Sequence, residues 1–218
     1  MARNFDLIVF DWDGTVHDSI QAIVSALQAT CRDLDLPEPV DSHVRQVIGL
    51  ALKDALRHSA PQISEEKMIM MAERYRYNYF AIDHDLLPFA GIPELLAELK
   101  ESGFMLAIAT GKSRRGLDRV LKSSGLGRFF VASRCADECF SKPNPQMLYE
   151  LMDELAIAPE RTLMIGDTIH DVQMAINANV AALAVTYGAH TKEALGSLQP
   201  LALMHGVDDL TRWLRESA

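Results

Sequence analysis

The stretch Leu7-Ile8-Val9-Phe10-Asp11-Trp12-Asp13-Gly14-Thr15 decides how the chain is read. Its apolar run predicts a buried strand, and the strand ends on two carboxylates separated by one residue. Burying ionised groups is costly unless they are paired or hold a metal, so this is a poor way to finish a core. At the carboxyl end of a strand in an open α/β sheet, where ligands bind, the same pair becomes a reaction centre. One carboxylate can attack an electrophile while the other donates or accepts a proton. Gly14 lets the backbone turn sharply away beside them.

Outward from this stretch, apolar runs rich in β-branched or small residues recur at Asp6–Phe10, Met105–Ala109, Phe129–Ala132, Thr162–Ile165 and Ala181–Val185. Helical patterns lie between most of them. They are expected over Gly91–Glu101 with Gly103 as C-cap, from Ser113 to near Gly125, after Pro143, from Val172 onward, and over Asp208–Arg215. This alternation predicts an α/β protein with a mostly parallel sheet wrapped by helices. From Asp18 to about Asp85 the strands stop. Ile20, Ile23, Leu27, Cys31 and Leu34 form one helical stripe behind an Asp18 or Ser19 N-cap. Val44–Leu56 and Glu65–Phe80 are also helical, and the Met and Tyr residues of the latter read as core filler. The expected organisation is a catalytic core from residues 1–17 and 86–218, with a helical cap over residues 18–85. Val16–Asp18 and His84–Pro88 are the candidate hinges.

The 218 residues suffice for one large domain or two small ones, and 49% hydrophobic content predicts a soluble globular protein. No apolar run is long enough to span a bilayer. The N-terminus carries no basic region followed by an apolar stretch and a cleavage site, which predicts a cytoplasmic location. Cys31, Cys135 and Cys139 are an odd set that suits a reducing compartment. Cys135 and Cys139 have no second ligand pair after them and read as ordinary thiols. A formal net charge of −9 argues against nucleic acid and membranes as partners. Positive charge for an anionic substrate must then be supplied locally.

Three further strand ends carry polar groups. Met105–Ala109 runs into Thr110-Gly111-Lys112, where a hydroxyl and backbone N–H groups entering a helix suit a phosphate-like anion. Gly111-Lys112-Ser113 resembles the tail of a nucleotide P-loop, but the required earlier glycine is Leu106, which excludes that reading. Ser141-Lys142-Pro143 leaves Lys142 at a loop end, free to point inward. Leu163-Met164-Ile165 leads into Gly166-Asp167-Thr168-Ile169-His170-Asp171, placing Asp167 and Asp171 on one face, with His170 expected to point outward. Helix capping accounts for one of these acids, but not for a second strand that ends on Asp. Acids from two strand ends make a hard, oxygen-rich site suited to Mg²⁺. Together these groups are what phosphoryl transfer through an aspartyl phosphate requires.

On these motifs the chain resembles the haloacid dehalogenase superfamily, in the group with a helical cap between the first and second motifs. All four motifs stand in the family's order: Asp11 to Thr15, Thr110, Lys142, and Gly166-Asp167 with Asp171. Pro88-Phe89-Ala90-Gly91, the run from Leu106 to Lys112, and Lys142-Pro143 resemble phosphoglycolate phosphatases. The resemblance implies a Rossmann-like, doubly wound parallel core with an inserted all-helical cap, acting as a Mg²⁺-dependent phosphatase. By it, Asp11 is the nucleophile and Asp13 the acid/base. Thr110 and Lys142 hold the phosphoryl oxygens, helped by Gly111 and Lys112. Asp11, the Asp13 carbonyl and Asp167 hold the metal, with Asp171 as a ligand or behind one. Asp13 excludes a dehalogenase, which needs no leaving-group acid.

The cap segment around Gly49 resembles the family's specificity loop, so that Arg45 or Lys53 reaches the substrate's non-phosphate end. Trp12, His17 and Asn179 depart from the family's usual residues. The expected partner is a small phosphorylated metabolite, phosphoglycolate-like or a sugar phosphate, acted on by a monomer or weak homodimer. A β-phosphoglucomutase-like transferase and a pyrophosphatase are the alternatives within this chemistry. A phosphorylatable receiver-like module is a remote one, because such modules place the phosphoacceptor on a later strand and have no helical insert.

Overall fold

The computed structural model describes residues 4–83 and 86–218. Its strands are β1 (Leu7–Phe10), β2 (Met105–Thr110), β3 (Ala132–Cys135), β4 (Thr162–Gly166), β5 (Ala181–Val185) and β6 (Ala202–Met204). They form one parallel sheet in the order β3-β2-β1-β4-β5-β6. The helices of this α/β core are α5 (Ile92–Glu101), α6 (Arg114–Ser124), α7 (Gln146–Leu155), α8 (Ile169–Asn177), α9 (Lys192–Gly196) and α10 (Val207–Ser217).

Alternate strand residues divide between the two faces, as a period of two requires. Ile8, Phe10, Ile108 and Ile165 pack with α5, α6 and α10, while Leu7, Val9, Ala107 and Met164 pack with α7 and α8. Both faces are covered, so the strands read as continuous apolar runs. Successive strands grow one way from β1 to β3 and the other way from β4 to β6. The crevice where ligands bind in such sheets therefore opens between the ends of β1 and β4.

Several boundaries differ from the sequence expectation. The Phe129–Ala132 run is not a strand: Phe129 closes a short 3-10 turn, Leu126–Phe129, and β3 begins at Ala132. Phe129 is apolar because it is buried, and Phe130 because it packs edge-on against Phe10 and Trp12. The strand after them is half-exposed, as its edge position allows. The helix expected after Pro143 starts at Gln146, three residues on. The helix expected from Val172 starts at Ile169, because Thr168 and Asp171 form a capping box. β6 and α9 are too short to leave a periodic signal.

Between β1 and α5 lie α1 (Ile20–Asp33), α2 (Asp41–Val47), α3 (Leu52–Ser59) and α4 (Glu65–Ile82), with no strand among the described residues there. They share a core of Val24, Leu27, Cys31, Val44, Leu56, Met68 and Met71. The Val44–Leu56 pattern is two helices, broken where Gly49 takes a φ of 93°. At the first expected hinge, the Asp18 N–H donates to the Leu87 carbonyl (3.0 Å), and the Phe89 N–H donates to the Val16 carbonyl (3.1 Å). His84 and Asp85 of the second hinge lie outside the described residues. Trp12 and His17 are buried and stacked, with ring centres 5.6 Å apart. No helix of the described residues is long and apolar enough to cross a membrane.

Candidate active site

Phe10 pairs with Ile165, so the residues following β1 and β4 emerge side by side at the switch point. These are Asp11 and Asp167. Gly14 makes the approach possible: its φ is 84°, and a Cβ there would run into Asp167 Oδ2. Asp171 comes from the first turn of α8, where its Oδ2 accepts the Thr168 N–H (3.1 Å) and hydroxyl (2.6 Å). Its Oδ1 accepts from Lys142 Nζ at 2.6 Å, and the same ammonium donates to Asp11 Oδ1 at 2.6 Å. Asp167 accepts the Thr15 hydroxyl (2.9 Å) on one oxygen and the Ala189 N–H (2.7 Å) on the other. Asp11, Lys142, Asp167 and Asp171 are all buried.

Three carboxylates thus face one ammonium. Burial, with Lys142 opposing it and Asp171 adding to it, raises the Asp11 carboxyl to about 7. Burial, then the charges of Asp11 and Asp171, raises Asp167 well above the usual carboxylate range. Burial works against a charged Lys142, but Asp11 and Asp171 outweigh it and hold the ammonium protonated. Asp11 Oδ2 is buried with no hydrogen-bond partner. Oxygens of Asp11, Asp167 and Asp171 lie within 4.8 Å of one another. An excess of negative charge, an orphaned oxygen and an all-oxygen donor set fit a hard divalent cation.

The second acid of the opening pair is held separately. Asp13 Oδ1 accepts the Ser19 hydroxyl at 2.5 Å and lies 3.0 Å from Lys112 Nζ. Ser19 therefore spends its hydroxyl on Asp13 and makes no side-chain cap on α1. Lys112 Nζ also donates to the Tyr79 hydroxyl of α4 at 3.1 Å. Burial opposes the Lys112 charge, and Asp13 and Tyr79 outweigh it. Thr110, buried at the end of β2, accepts the Lys112 N–H at 3.2 Å.

The helical insert sits on this edge through backbone. A Cβ on Gly111 would lie 2.6 Å from the Leu50 carbonyl oxygen and 2.7 Å from that of Gly49, so only glycine permits the contact. The Ala51 N–H donates to Ser141 Oγ at 2.8 Å. His170, expected to point outward, instead meets the insert, with Nε2 3.0 Å from the Gln46 carbonyl. His190 Nε2 lies 3.0 Å from the Arg45 carbonyl, and its Nδ1 accepts the Ile169 N–H at 3.0 Å. Burial holds both imidazoles below the usual histidine value, and for His190 the neighbouring His170 adds to it. A carbonyl only accepts, so these partners assign the proton of each ring to Nε2.

A cavity of about 280 Å³ remains between insert and sheet, with Asp11, Asp13, Gly111 and Lys112 on its floor and Gly49 and Lys53 also lining it. Arg45, expected to reach the substrate, does not line it: its guanidinium donates to the Gly188 carbonyl at 3.4 Å. Trp12 and His17 are buried and do not line it either. Tyr75 and Tyr79, read as core filler, do. Sequence reasoning also missed Thr15, Ser19 and His190. Thr15 and Ser19 are close enough to the opening stretch to have been questioned. His190 has no local signal, since its partners come from α2 and α8.

The model of the haloacid dehalogenase-like hydrolase family matches residues 8–185. The chain is 35% identical to the probable phosphatase IndB of Dickeya dadantii, over 91% of this chain and 88% of that one. It is 32% identical to a phosphoglycolate phosphatase of Vibrio vulnificus, over 91% of each. Among solved structures, a predicted phosphatase from Clostridium acetobutylicum superposes with a TM-score of 0.86 at 26% identity, covering 97% of this chain and 99% of that one.

Proposed function

The chain belongs to the haloacid dehalogenase-like hydrolase family, and we propose that it is a phosphatase that hydrolyses a small phosphate monoester through an aspartyl phosphate on Asp11. The observation that carries the reading is Asp11 itself: it lines the cavity beside Asp13, with one oxygen held by Lys142 and the other without a partner. A buried carboxylate so placed is a nucleophile with its back anchored.

Asp11 attacks phosphorus and displaces the alkoxide, which takes a proton from Asp13. A water then gives its proton to Asp13 and attacks the same phosphorus, releasing phosphate and freeing Asp11. Thr110 and Lys142 hold the phosphoryl oxygens through both steps, with the backbone of Gly111 and with Lys112 beside them. Asp11, Asp167, Asp171 and the Asp13 carbonyl are the groups that would hold Mg²⁺. When bound, the ion offsets the clustered acids and the phosphoryl charge.

Residues 18–85 act as the cap that closes over the substrate, and residues 1–17 with 86–218 form the catalytic core. The phosphoglycolate phosphatase among the relatives supports a small phosphorylated metabolite as partner. We propose a cytoplasmic monomer or weak homodimer, and the net charge of −9 disfavours nucleic acid and anionic membranes as its partners.

The test is release of inorganic phosphate from small monoesters with Mg²⁺, together with mass analysis of the acid-quenched protein. Asp11→Asn is expected to lower turnover by about 10⁴-fold or more and to abolish the phosphorylated peptide. A stable phospho-protein without turnover, or an active Asp11→Asn enzyme, overturns the reading.

A further inference from the structure

The insert presents an apolar wall to the cavity. Ile23 and Leu27 of α1, Val47 of α2, Leu56 of α3, and Tyr75 and Phe80 of α4 all line it. The rings of Tyr75 and Tyr79 lie near parallel, with centres 5.9 Å apart and 18° between planes, which offers a flat face. Burial pushes both phenols up, so neither ionises against the substrate. The cations that line the cavity are either committed or turned to solvent. Lys112 is held by Asp13 and Tyr79. Lys53 has a side chain 68% exposed and pairs with Glu65 at 3.5 Å. Arg76 is exposed. Asp137, also at the cavity, adds negative charge.

Away from the Tyr75 and Tyr79 hydroxyls, a substrate carboxylate placed against this wall would lose water without gaining a partner, and sugar hydroxyls would fare similarly. The volume, about 280 Å³, has room for a benzene ring, which roughly 150 Å³ encloses, with a phosphoryl group beside it. We propose that the ester hydrolysed here carries an uncharged, apolar leaving group about one ring in size, seated on the α1–α4 wall with its phosphate on Asp11. This assignment of substrate class rests on the phosphatase reading above.

The experiment compares benzyl phosphate, phosphoglycolate and glucose 6-phosphate, three esters with alkoxide leaving groups, by phosphate release with Mg²⁺. The expected kcat/KM for benzyl phosphate is about 10-fold or more above the other two, the scale on which a hydrophobic pocket discriminates. Equal or lower values for benzyl phosphate overturn the proposal while leaving the phosphatase reading intact. If none of the three is hydrolysed, nor p-nitrophenyl phosphate, the phosphatase reading fails. Calorimetry with benzylphosphonate and phosphonoacetate then still reads the cavity, and tighter phosphonoacetate overturns the substrate class. Ala55 of α3 lines the cavity half-buried. Ala55→Arg is expected to reverse the benzyl phosphate to phosphoglycolate ratio, and Ile23→Ala to lower the benzyl phosphate value several-fold, with folding checked by thermal melts. An unchanged ratio in both folded variants overturns the proposal.

Discussion

The floor and the wall of the cavity are built by opposite rules. On the floor, charge is dense and almost every polar atom has a partner: Lys142 on Asp11 and Asp171, Thr15 and Ala189 on Asp167, Ser19 and Lys112 on Asp13. On the wall, four helices turn aliphatic and aromatic side chains inward and leave their charges to solvent. The floor comes from strand ends, whose positions a parallel sheet fixes relative to one another. The wall comes from helix faces, which accept any apolar residue of suitable size. On the proposed reading, reaction chemistry is tied to the sheet and leaving-group preference to the insert, so the two can be perturbed separately.

The largest perturbation of the floor is Lys142→Met. It leaves Asp11 and Asp171 buried and facing each other without their shared cation, a loss of the kind that costs about 3–5 kcal/mol. Turnover is expected to fall by roughly 10²–10³-fold as a phosphoryl contact disappears. The ratio of kcat/KM between benzyl phosphate and phosphoglycolate is expected to stay as in the wild type, since no wall residue moves. A variant that keeps its fold but changes this ratio would break the separation of floor from wall.

A smaller effect concerns the floor's excess of acid. Asp11, raised to about 7, and Asp167, raised in the same direction, bind protons more readily in the fold than in the unfolded chain. In the metal-free protein the stability this confers is complete below the unfolded value of 3.8 and is lost as pH rises through about 7. A divalent cation binds the ionised form and displaces those protons. Mg²⁺ is therefore expected to raise the melting temperature more at pH 8 than at pH 5, by several degrees, at roughly 2–4 °C per kcal/mol for a chain of this size. Equal shifts at the two pH values would mean that these acids are already ionised in the metal-free fold.

The floor was largely legible in the sequence, and the reason is local. A strand that stops on Asp11, another that stops at Asp167, and a loop carrying Lys142 each announce themselves in a few residues, and the βα alternation supplies their adjacency. What failed to show depends on distant partners. Phe129 reads as strand because burial and β-propensity favour the same residue types, and only Phe10 and Trp12 reveal which one operates. Tyr75 and Tyr79 satisfy a helical period whether they fill a core or line a cavity. Arg45 sits in a promising segment, yet that segment is helix α2 and its guanidinium donates to the Gly188 carbonyl.

His190 joins the two regions, and its removal tests the seam itself. Its backbone N–H donates to the Asp167 carbonyl (3.3 Å), and its ring donates to the C-terminal end of α2 through Arg45. The loop that carries Asp167 and the wall are thus joined through this residue. His190→Ala removes a hydrogen bond worth about 1 kcal/mol and leaves the Ile169 N–H without its acceptor. If the ring serves to seat the cap, the loss falls on the closed state. KM for benzyl phosphate is then expected to rise about five-fold with kcat nearly unchanged, and amide exchange over residues 45–51 to accelerate. A fall in kcat at constant KM, without faster exchange, would place His190 with the floor alone. The seam would then rest on Gly111, the Ser141 hydroxyl and His170, which meet backbone groups of the insert and do not depend on the His190 imidazole.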